Sequence, residues 1–454
     1  MAFTEFYVQS TGSNLNAGST TDDAAAVTVT NASWDVTADT YIGLTGTEFA
    51  AVNVGDWASI YLDAATVAVY IAQVTAVGAL GVSITLSTTA KYGTKPASGA
   101  TGRSCKVGGA HASLTPWNST GLGASTVPAS TRVNVKQATY TRTATDTVSM
   151  VGITTGPLWF RGYNTTVGDC DADPTLTKPV LSYNATFQLS TSGANQVWSS
   201  VSVLGNRTGT VWTGATSTLM VRCRFENTSS AAGAIAASPS GGDLLYCWCK
   251  TPTTATTAVN LTNGSVFTGT VFENGRVDCS NDPTTFLQCV SLNSGGVGIL
   301  SAGVAQVQVY FTTIYNATSH GISWTVAGPG FVYGCAFWDC GGWGISQSSG
   351  TDTHLVRRAC NSFFSNTSGT ETGFGDSPSF FQQTESAQPY TSATDMTPLA
   401  TALAAEAGFA PGVFENMGFR SYVDIGAVQR KGTRGGVAVL GATFSNPNLL
   451  VGYH

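Results

Sequence analysis

Val221-Arg-Cys223-Arg-Phe225-Glu-Asn227 returns later in the chain as Phe331-Val-Tyr-Gly-Cys335-Ala-Phe337-Trp-Asp339. The phrase is an apolar residue, a Cys or Thr, a Phe, and then Asn or Asp, each set off by spacers. Weaker copies are Val309-Tyr-Phe-Thr312-Thr-Ile314-Tyr-Asn316, Thr268-Gly-Thr270-Val-Phe272-Glu-Asn274 and Cys247-Trp-Cys249-Lys-Thr251. The Cys/Thr position falls at 223, 247, 270, 312, 335 and roughly 360, in steps of 24, 23, 42, 23 and 25. The long step holds two coils, and Cys289 to Leu292 falls where the missing one belongs. A unit recurring at this interval is one that stacks on copies of itself. Each copy alternates with period two, so the unit is a strand with one buried face rather than a helix.

Stacked coils lie about 4.8 Å apart, so equivalent positions form ladders. The alternation predicts an inward ladder of Phe225, Cys249, Phe272, Ile314, Phe337 and Phe363 or Phe364. A second inward ladder is Cys223, Cys247, Thr270, Thr312, Cys335 and Cys360. A turn ladder follows at Asn227, Thr251, Asn274, Asn316, Asp339 and Asn366. Asn and Asp tolerate a left-handed backbone and bond locally, which suits a tight turn repeated in every coil. The fold class read from these ladders is all-β, a parallel β-solenoid with coils of about 21–25 residues.

These phrases resemble the right-handed parallel β-helix proteins of the pectate-lyase-like superfamily, most of all its phage tailspikes and bacterial surface proteins. Phe6-Tyr-Val-Gln-Ser-Thr-Gly-Ser-Asn-Leu-Asn-Ala-Gly-Ser19 resembles their opening phrase, and Tyr422-Val-Asp-Ile-Gly-Ala-Val428 their closing one. The resemblance covers about residues 1–30 and 105–430 and implies a right-handed coil. Members of the group include polysaccharide lyases and hydrolases, surface proteins and tailspikes. The resemblance therefore carries fold and not reaction.

Residues 1–32 read as the opening of the solenoid and its N-terminal cap. Residues 33–104 read as an inserted small antiparallel β-domain. Its alternating stretches are Val54-Gly-Asp-Trp-Ala-Ser-Ile-Tyr-Leu62, Thr66-Val-Ala-Val-Tyr-Ile-Ala-Gln-Val-Thr75 and Val82-Ser-Ile-Thr-Leu86, separated by Gly- or Ala-rich turns. Two roles stand open for it: an attachment module, or a cover for the solenoid end, whose bare edge would aggregate. Residues 105–395 are the parallel β-helix. Residues 396–431 hold a capping helix and a closing strand, with Thr397 as N-cap, Pro398 at the first helical position and Gly408 as the stop. Residues 432–454 form an apolar tail, without a charged side chain after Arg434 and suited to assembly.

Only 10% of residues are charged, against roughly 25% in ordinary domains. A net charge of −6 gives no electrostatic reason to expect nucleic acid. No run of about 18 apolar residues occurs, so no membrane span is expected. Met1-Ala-Phe-Thr-Glu-Phe-Tyr has no basic region, apolar core or cleavage site of a secretory signal. Joined to a sparsely charged surface, that start suggests a protein on a virion surface, assembled in the cytosol. An extracellular or cell-surface protein is the alternative. The ten cysteines read as stacked free thiols, because several fall in the inward ladders and Cys packs as a small hydrophobe. A Cys335–Cys340 pair across a turn is the other reading. Cys247 and Cys249 lie two apart on one strand face, with no His pair following, and are not a zinc site.

For chemistry, Glu226 and Glu273 each stand in Phe-Glu-Asn, two coils apart. That is about 9.6 Å, near the upper limit for an inverting carboxylate pair. Lys250 falls in the same outward column, so a Glu–Lys–Glu charge ladder is the simpler reading. Asp169, Asp171 and Asp173 alternate as calcium ligands would, but lack the Gly and distal Glu of a calcium-binding loop. Tyr315, Trp338 and Trp343 are candidates to face outward together and contact a glycan or a partner. No cofactor is implied. The reading that follows is a non-enzymatic structural virion protein: a fibre, spike or capsid decoration, homotrimeric, touching other virion proteins and host or environmental polysaccharide. The alternatives are a carbohydrate-active β-helix enzyme, or a bacterial surface or filament protein.

Overall fold

A computed structural model describes residues 2–398, apart from 44–45, 124, 154, 216, 254–256, 262–263, 281–282, 304–305, 327, 348–355, 375–378, 381 and 393–394. The regular elements among those residues are strands, apart from a helical turn at Asp169–Ala172 and two 3-10 turns at Ala79–Gly81 and Thr115–Trp117. The chain divides into two compact units. The first holds the described residues up to Leu204 together with Thr213–Cys223, and the second holds Gly205–Trp212 and the described residues from Arg224 onward.

In the first unit the strands Thr4–Val8, Thr131–Lys136, Leu158–Tyr163, Gln196–Ser199 and Thr218–Val221 lie side by side, all parallel. Thr139–Arg142 pairs with Val180–Tyr183, and Asp146–Val148 with Leu189–Thr191, again parallel. Each coil thus contributes to three sheets. Phe6, Val133, Phe160, Trp198 and Met220 are in register and buried, one to each coil of the first sheet. Phe160 and Trp198 stack at 4.1 Å.

Between its first two coil strands the chain builds a closed six-stranded barrel. Its strands are Val27–Asp35, Thr40–Ile42, Trp57–Leu62, Tyr70–Val77, Ser83–Gly93 and Gly99–Val107, paired antiparallel. The barrel reaches beyond the 33–104 read from the sequence, because Val27 pairs with Val107 and Val29 with Cys105. Trp34, Tyr41, Phe49, Ile60 and Ile84 fill it. Two barrel aromatics, Trp57 and Tyr92, meet the ring of Phe6 edge-on, each at 5.2 Å. The Tyr92 hydroxyl shares a 2.8 Å hydrogen bond with that of Thr131. Trp57 and Tyr92 thus pack the barrel against the first coil strands.

The second unit shows the repeat most plainly. Arg224–Asn227, Trp248–Lys250, Val271–Glu273, Val290–Leu292, Thr313–Tyr315, Ala336–Trp338 and Ser362–Phe364 stack in parallel register. Phe225, Cys249, Phe272, Ser291, Ile314, Phe337 and Phe363 point inward and are buried. Phe363 is the rung and Phe364 faces out. Phe337 stacks on Phe363 at 5.4 Å, and Phe225 on Trp212 at 4.7 Å.

A column of left-handed residues stands just before the Cys/Thr ladder: Tyr246, Gly269, Gln288, Phe311, Gly334 and Cys360, all with positive φ. The left-handed turn takes the chain out of one sheet and into the next. It leaves carbonyls at one register position of the sheet before it for the ladder side chains to use. Thr270 Oγ1 donates to Leu244 O at 3.0 Å, Cys289 Sγ to Phe267 O at 3.4 Å and Cys335 Sγ to Val309 O at 3.4 Å. In the first unit Cys223 Sγ donates to Trp198 O at 3.5 Å. Cys and Thr alternate because both are small and both donate. Cys360 is not the next rung. It holds the left-handed place, and Asn361 is the rung, with Nδ2 donating to Val332 O at 3.2 Å. All ten cysteines are buried, and none is in a disulfide.

The second turn is left-handed at Asn274, Asn293, Asn316, Asp339 and Ser365. Ser365 therefore replaces Asn366 in the expected ladder, and Asn293 joins it. Asn227 is not left-handed. Its buried amide donates to Arg207 O, Gly209 O and Ile235 O and accepts from Ser229 N–H. Asn366 instead accepts from Cys340 N–H and donates to Phe337 O. The helix expected from Thr397 does not begin there, since Thr397 and Pro398 end the strand Asp395–Pro398, which pairs with Tyr390–Ser392. The rest of that helix, the closing phrase and the tail 432–454 lie outside the described residues.

Candidate functional site

The residues with most chemical character line the outer face of the first unit's main sheet. Alternation turns Phe6, Val133 and Phe160 inward, so Glu5, Tyr7, Arg132, Asn134, Lys136, Trp159, Arg161 and Tyr163 turn outward. Register sets Glu5, Arg132 and Trp159 in one row and Tyr7, Asn134 and Arg161 in the next, with Lys136 beside Tyr163. The Arg132 guanidinium lies 4.1 Å from the ring centre of Phe3 and 4.5 Å from that of Trp159. Its Nη1 donates to Glu5 Oε1 at 3.1 Å, and Asn134 Nδ2 donates to Glu5 Oε2 at 2.7 Å. Trp159 Nε1 donates to Ser199 Oγ at 2.8 Å, which anchors the indole to the next coil. The loop 164–179 leans over this face through its short helix: Arg161 Nε donates to Asp171 Oδ2, and Arg222 Nη1 donates to Asp171 O.

This face is positive, aromatic and partly dry. Burial draws Arg132 below the ordinary arginine value, Glu5 opposes the shift and Arg161 adds to it. Burial, and then the charge of Glu5, raise the Tyr7 hydroxyl. Burial pushes the Tyr163 hydroxyl up to about 12, with Tyr7 adding to it. Arg132 Nε and the buried Asn134 Oδ1 have no hydrogen-bond partner. Flat rings beside guanidinium forks suit sugar faces and carboxylates. Tyrosines held protonated are poor bases.

The second polar cluster of this unit is structural. Asp146 accepts from Arg142 Nε and Nη2 at 2.6 Å each, from Tyr183 at 2.7 Å and from Asn118 at 2.9 Å, all buried. The three aspartates Asp169, Asp171 and Asp173 do not converge. Asp169 takes the N–H groups of Asn164, Thr165 and Thr166, Asp171 takes Arg161, and Asp173 takes Thr175. Burial works against the Asp169 carboxylate, but those three N–H groups outweigh it and hold its carboxyl well below the ordinary range. Among the described residues no group of three His, Cys, Asp or Glu is placed to hold a metal.

In the second unit Glu226, Lys250 and Glu273 are successive rungs of one outward column. Lys250 Nζ is 2.9 Å from Glu273 Oε1, and Trp248 Nε1 donates to Glu273 Oε2 at 3.0 Å. Glu226 is held at 2.6 Å by Arg224, which also lies 4.5 Å from the ring centre of Trp248. Tyr315 and Trp338 continue the same column. Trp338 is not open to solvent: it is 0% exposed, because Tyr390 lies over it. Trp343 does not join them. It sits in another sheet, on Trp343–Gln347, against Gly369.

The Arg132–Trp159 face was missed in the sequence, although Arg132-Val-Asn-Val135 and Leu158-Trp-Phe-Arg161 both alternate as strands. A polar or aromatic residue at every second position was the signal. The register that unites them crosses an irregular loop and could not be counted.

No protein-family model matches the chain, and no curated protein matches it in sequence. Among solved structures the chain is similar to pectate lyase Pel9A, with 12% identity, a TM-score of 0.41, and coverage of 66% of this chain and 88% of that one. A rhamnogalacturonan lyase matches with 11% identity, a TM-score of 0.37, and coverage of 56% and 79%. The tailspike protein gp49 from Pseudomonas phage LKA1 matches with 12% identity, a TM-score of 0.31, and coverage of 83% and 65%. The parallel β-helix itself rests on this chain's own strand register. No helix among the described residues is long and apolar enough to cross a membrane.

Proposed function

We propose that this chain is a non-enzymatic β-helical surface protein that holds anionic polysaccharide on the outer face of its first unit. The observation that carries the reading is Arg132, set between Phe3 and Trp159 with Arg161 and Lys136 on the same face. A virion is the setting we favour, with a homotrimer as the assembly and an extracellular or cell-surface location as the alternative. The sparse charge and the apolar tail support an assembled protein. The test is binding and product analysis on one panel of acidic and neutral polysaccharides. Acidic polymers are expected to bind and to be recovered intact, and Arg161→Ala is expected to weaken binding about tenfold, which is about 1.4 kcal/mol. Equal binding of neutral polymers, or the release of unsaturated or reducing ends, overturns it. Light scattering that finds only monomer overturns the trimer.

A depolymerase is the second reading, favoured by the two-coil spacing of Glu226 and Glu273. Lys250 pairs with Glu273, Arg224 pairs with Glu226, and Trp248 donates a hydrogen bond to Glu273, so each carboxylate is engaged in a surface ion pair. Cleavage lost in Glu226→Gln or Glu273→Gln would restore it.

A further inference from the structure

Tyr390 covers an aromatic platform in the second unit. Its ring lies over Trp338 at 5.0 Å and 26°, and meets Tyr315 edge-on at 5.4 Å and Phe364 at 6.3 Å. Its hydroxyl donates to Asp339 Oδ2. The indole N–H of Trp338 is already given to Ser362 Oγ at 3.3 Å, so the face of the ring is what remains to be covered. The strand that brings Tyr390, Tyr390–Ser392, pairs only with Asp395–Pro398 in a separate two-stranded sheet among the described residues. No backbone ladder with the coils fixes it there.

A pyranose ring on such a surface would lay its C–H face on the indole and donate a hydroxyl to the carboxylate. Tyr390 makes both contacts with one ring and one hydroxyl. We propose that Tyr315, Trp338 and Asp339 form a subsite for a neutral pyranose, closed in this chain by Tyr390 in the place of the sugar. Asp339 sets the charge class, since its carboxylate accepts from sugar hydroxyls and repels uronates. A neutral sugar ring must displace Tyr390 to bind, so the uncovered site binds more tightly than the closed one. The inference rests on reading the chain as a polysaccharide-contacting protein, but it uses other residues and another ligand class.

The experiment titrates full-length protein with neutral gluco-, galacto- and manno-oligosaccharides, read by tryptophan fluorescence and calorimetry. Tyr390→Ala is expected to bind one of them at least tenfold more tightly than the unaltered chain. Adding Trp338→Ala is expected to abolish the gain. Tyr390→Phe keeps the ring, removes the bond to Asp339 and is expected to give a smaller gain. No tighter binding by a folded Tyr390→Ala overturns the proposal. If that variant does not fold, no gain in Tyr390→Phe overturns it. Acidic polysaccharide binding that stays sensitive to Arg161→Ala, with no gain at Tyr390, sinks the closed subsite alone.

Discussion

Glu226 and Glu273 stand two coils apart in one outward column, and Lys250 holds the rung between them, 2.9 Å from Glu273. The arrangement reads as charge balance on a parallel sheet. A double-mutant cycle with Lys250→Ala and Glu273→Ala is expected to give a coupling of about 0.2–1 kcal/mol in urea unfolding. The coupling should shrink as salt is added. A coupling several times larger and indifferent to salt would contradict the ladder.

The ladder before each strand needs a small donor, whatever the atom. Thr270→Cys should therefore be nearly neutral, since Cys289 does the same on the next coil. Thr270→Val keeps the shape and removes the side-chain bond to Leu244 O, and should cost about 0.5–1.5 kcal/mol in the same unfolding measurement. Equal stability of the two variants would remove the donor from the explanation. Burial also pushes the Cys289 and Cys335 thiols up to about 12. Thiol titration should find them silent in native protein and reactive only on unfolding.

Gly334 is left-handed, with φ 64, and a Cβ there would meet the Phe311 ring at 2.7 Å. Gly334→Ala should cost about 1–2 kcal/mol from the backbone alone, with the displacement of Phe311 added. Gly296, where a Cβ meets nothing and φ is not left-handed, is the control. Gly296→Ala should leave the melting temperature unchanged within error or raise it slightly.

His111 is buried with both ring nitrogens unpartnered, and burial lowers its pKa from 6.5 to about 3. The unfolded chain takes up a proton as pH falls below 6.5, and the folded chain does not until about 3. Its stability is therefore full above pH 6.5 and lost progressively from there towards 3. The slope contributed is up to about 1.4 kcal/mol per pH unit. His320 is also lowered by burial, so the test compares the chain with His111→Phe. The variant should lose most of the slope between about pH 6.5 and 5, before most carboxylates titrate. An unchanged slope would place the effect elsewhere.

The ladders were legible because Phe, Cys and Thr recur at an interval that alternation can check. Where an interval was uneven, the count slipped by one. Asn361 follows Cys335 by 26 residues, one more than the step to Cys360, while Asn366 drew the turn ladder by its side chain and Ser365 holds the left-handed place one residue earlier. The left-handed column escaped notice for a different reason. Tyr246, Gly269, Gln288, Phe311, Gly334 and Cys360 share a backbone angle and no side-chain chemistry. The burial of Trp338 was beyond reach too, because its cover comes from Tyr390, bonded to Asp339 across 51 residues of chain. Outwardness of a strand position can be read from period two. Exposure depends on what else folds back.

The rung donors have one more consequence. Thr270, Cys289, Cys335 and Asn361 each reach a carbonyl of the coil just before, Thr312 bonds Tyr310 O in its own coil, and none of these bonds goes farther. The repeat is therefore self-contained in its polar needs. A whole coil can be duplicated or lost inside the second unit with no neighbour left short of a bond, provided the cut falls at equivalent positions. The length of the second unit is thus a quantity that evolution, or a designer, can adjust in single increments of about 4.8 Å.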